Sequence, residues 1–418
     1  LFAAAVFDLI FALARGDGLR GALHGLWNTP HLLFGQQLAE WRLQLGRILF
    51  AAGLAAYEIS VVFCNSMARQ NWAWVQGVMS PVLEWLAFLC FGAKILFGTR
   101  YTWRELLAGG ALYFIARWVY FNSQNIWWIG IVVAVLAAKD VPLRRPLQVY
   151  FASGCAAMAV VLALHFAGIV APDLTSERMG ALRGTYGYGH PNTFGGLVFG
   201  LVLAYALLRA QKVRWVDCLL VFAVGVFLLV GPASRSAALC TLALAVGLVF
   251  CRLRAGHSVP RWWPGTCAGM VGLTAAVSYL LPLLVIKVGP WNNDIGPAWL
   301  AKLDSLLTCR ISLTWMAYRL LDVKIAGQVF NWPTVDNSFA FALFQFGPVV
   351  AALLGILFAA ALLGHAKQGR RVEVCCLFAM LAYAYMEVQP FHLTTNPTAL
   401  LLCGAVFAQT SARWQKIE

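Results

Sequence analysis

The sequence predicts an all-α polytopic membrane protein, and three observations carry that prediction. Of its 418 residues 61% are apolar and only 11% charged, with a mean hydropathy of +0.74. Apolar runs recur at lengths that match a hydrocarbon core of about 30 Å, which roughly 20 helical residues cross. Lys and Arg collect in short connections between those runs. Inside lipid every backbone N–H and C=O needs an internal partner, so such runs read as helices.

Taken in order, the runs give about twelve spans, near 43–64, 77–97, 103–120, 124–138, 147–171, 191–210, 216–232, 236–252, 265–287, 338–363, 373–388 and 397–412. The basic connections Lys94/Arg100/Arg104, Lys139/Arg144/Arg145, Lys212/Arg214, Arg252/Arg254/Arg261 and Lys367/Arg370/Arg371 alternate with the others, as does the terminal Arg413/Lys416. Positive-inside bias then phases every span and puts both termini in the cytoplasm. Residues 1–42 read as an interfacial segment, with a truncated first span as the alternative, and 43–418 as a single membrane domain. The same bias accounts for the formal charge of +14 without a nucleic-acid partner. Most of the eleven cysteines, such as Cys90, Cys155, Cys240 and Cys403, lie inside apolar runs without metal-ligand spacing, and read as small core residues. The chain begins at Leu1, and no cleavable signal peptide is expected.

Two extracytoplasmic segments exceed a turn, at roughly 172–190 and 288–337. The second is long enough to fold over the helix ends. Its middle is helical by pattern, with Leu303, Leu307, Arg310, Ile311, Thr314, Tyr318 and Leu321 on one stripe. That stripe turns Arg310 inward, whereas Arg319 falls about half a turn away, toward solvent or lipid phosphate.

The chemistry-bearing residues gather on this same predicted face. In TYGYGHPNTFGG, glycines precede His190, Pro191 suits a first helical turn and Asn192 can cap or hydrogen-bond at the helix end. Such an N-terminus is also an anion site. In GPASRSAAL, Ser234 and Arg235 sit between two spans, and an outer-face arginine runs against the topological bias, so a bound anion or buried acid explains it better. Arg183 reads equally as a solvated loop charge. In TVDNSFAF, Asp336 precedes a span beside Asn337; Asp336 or Ser338 could cap that helix, or Asp336 could be a general base held near arginines. His190 competes for the role of base, because imidazole titrates near neutral pH. Glu387 is a further buried acid near a span end, and Glu58, mid-span, reads as a structural partner of Arg117.

The order GYGHPN, then ASRS one helical hairpin later, then a large outer loop with an embedded arginine, DNSFAFALFQFG, and finally Glu387 and Asn396-Pro397 resembles the Wzy/O-antigen ligase superfamily over roughly residues 40–412. Within it, the capsular and exopolysaccharide repeat-unit polymerases are the more similar. The resemblance implies an inverting, metal-independent glycosyltransferase of GT-C type in a bacterial cytoplasmic membrane. Its donor would be an undecaprenyl-diphosphate-linked oligosaccharide, its acceptor a glycan hydroxyl, and a chain-length regulator a partner. By the same resemblance Arg183, Arg235 and Arg310 would hold the diphosphate. Asp336 would stand where ligases carry a histidine, which favours polymerase over ligase.

The residues agree with that chemistry on independent grounds. A diphosphate leaving group can be stabilised by guanidinium forks, and the outer loops contain no Asp-x-Asp pair suited to Mg²⁺, so neither a metal nor another cofactor is expected. A lipid-linked oligosaccharide flippase or other transporter shares the spans and the intramembrane charges. Such transporters usually show repeated halves and midplane sites, and neither is visible here.

Overall fold

The structure is a computed structural model that describes residues 40–170, 176–178, 181–285 and 296–407. It is helical apart from one short hairpin, β1 (Ser176–Arg178) paired antiparallel with β2 (Ala181–Arg183). The expected interfacial segment 1–42 lies almost wholly outside the described residues, as do the terminal Arg413 and Lys416. The long helices are α1 (Glu40–Cys64), α2 (Ser80–Phe97), α3 (Trp103–Ser123), α4 (Ile126–Ala137), α5 (Arg144–Phe166), α6 (Pro191–Leu208), α7 (Trp215–Val230), α8 (Arg235–Leu253) and α9 (Trp263–Leu280). Between α9 and the last long helices stand α10 (Ala298–Leu306) and α11 (Arg310–Leu320), followed by α12 (Pro348–Lys367) and α13 (Arg371–Met386).

Among the described residues, seven helices are long and apolar enough to cross a membrane: Trp41–Cys64, Val75–Phe97, Arg144–Phe166, Pro191–Leu208, Arg235–Leu253, Trp263–Leu284 and Pro348–Lys367. The apolar segments Ile126–Ala137, Trp215–Val230 and Pro397–Val406 form shorter helices. Two of the expected spans are redrawn. The run 338–363 is not one helix: it breaks at Gly347, whose φ of 88° no side-chain-bearing residue adopts readily. There Ser338–Phe341 and a π turn, Ala342–Phe346, precede α12. The last run winds as a 3-10 helix, Pro397–Leu402, before one α turn, Cys403–Val406.

Helix starts follow the capping chemistry of the sequence. Thr102 and Glu105 form a reciprocal capping box on α3, Asn125 accepts from Trp127 and Trp128 to start α4, and Asn396 caps the last 3-10 helix. The central helix is α6: its apolar window is 72% buried, against 22–50% for the other six. Glycines let neighbours approach it, as a Cβ on Gly200 would stand 2.5 Å from the Thr394 carbonyl oxygen. That carbonyl belongs to the stretch 387–396, irregular apart from one 3-10 turn, Gln389–Phe391, and packed inside protein, as irregular backbone at membrane depth must be. The Tyr150 hydroxyl donates to Thr394 O, and the Asn396 amide to Pro390 O at 2.9 Å.

The helices carry opposite chemistry at their two ends. At one end the basic connections meet: Lys139 pairs with Glu105 at 3.2 Å and donates to Arg100 O at 2.7 Å, and Arg371 donates to Arg254 O at 2.6 Å. At the other end lie the start of α6, the α7–α8 turn, α11 and the end of α13. The outer helix expected through 304–321 is split, because Thr308 and Cys309 adopt φ of 61° and 64°. Asp304 bridges the break, accepting the Ile311 and Ser312 backbone N–H groups at 2.8 and 3.1 Å on one carboxylate oxygen. The stripe itself holds for α11: Arg310, Ile311 and Thr314 are buried, and Arg319 is exposed. The pairing expected between Glu58 and Arg117 is not formed. Glu58 is buried near Gly154, and the Arg117 guanidinium stacks 4.0 Å from the centroid of the Phe121 ring.

Candidate active site

At the end away from the basic connections, one polar chain links residues far apart in sequence. Arg183, at the end of β2, donates from Nη2 to Asn192 Oδ1 at 2.9 Å and to Ala233 O at 3.2 Å. Asn192, in the first turn of α6, passes its amide N–H to Glu387 Oε1 at 3.0 Å. Glu387 Oε1 also accepts from Arg310 Nη2 at 2.9 Å and from the Ser236 hydroxyl at 2.8 Å. Arg310 Nη2 then stands 3.4 Å from Asp336 Oδ2. Ser234 completes the frame, its hydroxyl 3.4 Å from Asn192 Oδ1.

Each member is held by the element that carries it. Glu387 follows the last residue of α13 in extended conformation, and its carbonyl accepts the Ser338 hydroxyl at 2.5 Å. Arg310 opens α11 and donates from Nε to Met386 O and from Nη1 to Thr308 O, at 2.9 and 3.1 Å. The α6 end is fixed by Gln389, whose amide donates to Asn192 O at 3.2 Å and whose own oxygen accepts from the Tyr383 hydroxyl at 2.7 Å.

The two carboxylates are therefore not equivalent. Glu387 has a side chain only 6% exposed, with one oxygen saturated by three donors, whereas the Asp336 side chain is 25% exposed and touches the chain through Arg310 alone among the described ion pairs. Asp336 is thus the more accessible of the two carboxylates. It does not cap the helix that follows, and neither does Ser338. That place belongs to Asn337, which accepts from the Phe339 and Ala340 N–H groups at 2.9 and 3.1 Å and donates to the Ser278 hydroxyl at 3.1 Å.

His190 is the cap of α6. Its Nδ1 accepts the Asn192 backbone N–H at 3.1 Å, so a neutral ring carries its proton on Nε2 and presents a donor there. In that tautomer the Nδ1 lone pair is engaged, which suits an orienting hydrogen-bond donor better than a base. Arg235, the first residue of α8, is exposed between the chain members Ser234 and Ser236. Of the nine residues singled out from sequence, the structure thus joins Arg183, Asn192, Ser234, Arg310, Asp336 and Glu387 directly, and seats His190, Arg235 and Asn337 on their borders.

Two further contributors, Ser236 and Gln389, carry no motif of their own in the sequence. Ser236 lay inside the ASRS motif, and Gln389 stood two residues after Glu387; both signals were present as polar residues in apolar surroundings. Ser338, a candidate cap by sequence, instead donates to the Glu387 carbonyl. Among the described residues no three His, Cys, Asp or Glu side chains lie close enough together to hold a metal ion. No family model, no curated protein and no solved structure matches this chain.

Proposed function

We propose that this chain is a polymerase of bacterial surface polysaccharide. In this reading it transfers glycan from an undecaprenyl-diphosphate-linked repeat unit to an acceptor sugar hydroxyl, with inversion and without a metal, as a GT-C-like enzyme of about twelve spans. It sits in the cytoplasmic membrane with both termini in the cytoplasm and its site on the extracytoplasmic side, where a chain-length regulator is its partner. The observation that carries the reading is the juxtaposition of the more accessible Asp336 with the Arg310–Glu387 pair, at the helix ends opposite the basic connections.

The roles follow from exposure and hydrogen-bond capacity. Asp336 takes the proton of the acceptor hydroxyl as its oxygen attacks the anomeric carbon, and the bond to the diphosphate breaks on the opposite face. Arg235, being exposed, makes the first contact with the departing diphosphate, with Arg183 and Arg310 beneath it adding positive charge. Glu387 and Asn192 hold those two guanidiniums in place, so that little reorganisation is needed as charge develops. The decisive experiment incubates the purified protein with a synthetic polyprenyl-diphosphate repeat unit and reads the product on a gel. A ladder is the expected result. A single transfer to a different lipid acceptor would instead mark an O-antigen ligase, and no turnover with an authentic donor would leave a flippase.

A further inference from the structure

At the basic end a cavity of about 760 Å³ opens among α5, α6, α8, α12 and α13. Arg144 reaches it from the first residue of α5, Lys212 and Arg214 from the turn after α6, Arg252 from the last turn of α8, and Arg370 from just before α13. Arg209 and Arg371 also border it but are already engaged. Arg209 Nε lies 3.1 Å from Asp217 Oδ1, and Arg371 holds the carbonyls of Arg254 and His257. Against these the lining offers one carboxylate, Glu373. Among the described residues no carboxylate is in ion-pair range of Arg144, Lys212, Arg252 or Arg370.

Topological bias explains why each of these connections is basic, but not why four of them converge on one concavity. Like charges brought together there repel, and an anion between them would offset that cost. Gln211 and His365 also border it, and one wall is apolar, with Leu147, Leu207, Val372 and Leu401 in it. A ligand that satisfies both walls is an amphiphile with a phosphate head, and basic pockets between membrane helices suit such heads. We propose that this cavity binds the phosphate headgroup of an anionic phospholipid, with its chains against the apolar wall. The site lies at the opposite end of the helices from Glu387 and does not depend on the transfer reaction.

The test is native mass spectrometry of the purified full chain in micelles that contain phosphatidylglycerol and phosphatidylcholine of identical acyl chains. The wild type should retain phosphatidylglycerol in preference. Arg252→Gln with Arg370→Gln should lower that preference roughly tenfold or more, since each basic residue near an anionic head contributes several-fold. Arg104→Gln with Arg145→Gln, which remove equal charge outside the cavity, should leave it unchanged. Lys212→Gln with Arg214→Gln, on the exposed turn, is the second cavity variant should the first unfold. Equal retention of the two lipids, or an undiminished preference in a folded cavity variant, would overturn the proposal. So would stabilisation of the protein by inorganic diphosphate in phosphatidylcholine alone, lost in the cavity variants, because the ligand would then be a soluble phosphate.

Discussion

At the scale of the residue, Asp336, Asn337 and Glu387 divide three tasks that one carboxylate could have been asked to perform. Because Asn337 caps the helix, Asp336→Asn should leave thermal stability nearly unchanged while abolishing ladder formation, for an amide cannot take the acceptor's proton. Asn337→Ala should do the reverse in part, costing about 1 kcal/mol of stability by removing the cap. An active Asp336→Asn protein beside a dead His190→Gln protein would transfer the role of base to the imidazole. The arginines separate in the same way. Arg310→Ala leaves Glu387 buried without its counter-charge, a loss of about 3–5 kcal/mol for a broken buried pair, so its inactivity would report folding as much as catalysis. Arg235 is exposed, and Arg235→Ala should cut turnover by about 100-fold with the melting temperature intact. Arg319, stacked 5.4 Å from the Trp315 ring centroid on the outer face of α11, is the control, and Arg319→Ala should turn over like the wild type.

At the scale of the element, the breaks matter as much as the helices. Gly347 ends the π turn that follows Asn337, and the backbone of 324–328 crosses it so closely that a Cβ there would lie 2.1 Å from the Ile325 carbonyl oxygen. Positive φ and this contact together make Gly347→Ala destabilising by more than about 1 kcal/mol, measurable as a lower melting temperature. The same change at Gly355, where an added Cβ meets nothing within 4 Å, should be neutral or mildly stabilising. The split between α10 and α11 was not legible, because three- and four-residue spacing runs through it and neither Gly nor Pro marks the left-handed Thr308 and Cys309. What reorients the chain is Asp304 capping the next helix, a contact across the break that periodicity does not encode. The inward turn of Arg310 was legible, since the stripe on α11 fixes a face whatever precedes it.

At the scale of the whole molecule, the separation of basic connections from the polar chain gives a topology that native chemistry can report. Cys309 is exposed at the α10–α11 junction, on the end that carries Glu387. It should react with a membrane-impermeant thiol reagent added to intact cells, and Cys309→Ser should remove that signal. Cys introduced at the exposed Gln368, beside the basic cavity, should react only after the membrane is opened. Equal labelling of position 368 from outside would invert the phasing of every span and move the polar chain to the cytoplasmic face.

The sequence by itself determined that this is a helical membrane protein, where most of its helices lie and which polar motifs interrupt them. Each of those properties is local: apolar length, capping residues and loop charge act within a few turns of helix. Only the tertiary structure decided that Glu387 is the hub, that Asn192 reaches it across 195 positions, and that Asp336 is the more accessible carboxylate. It also decided that Glu58 and Arg117 do not pair. Such choices depend on which faces of distant helices meet, and hydropathy specifies that a face is buried without specifying against what. In a chain where lipid and protein both accept apolar side chains, packing of small residues such as Gly200 against the 387–396 backbone makes that selection.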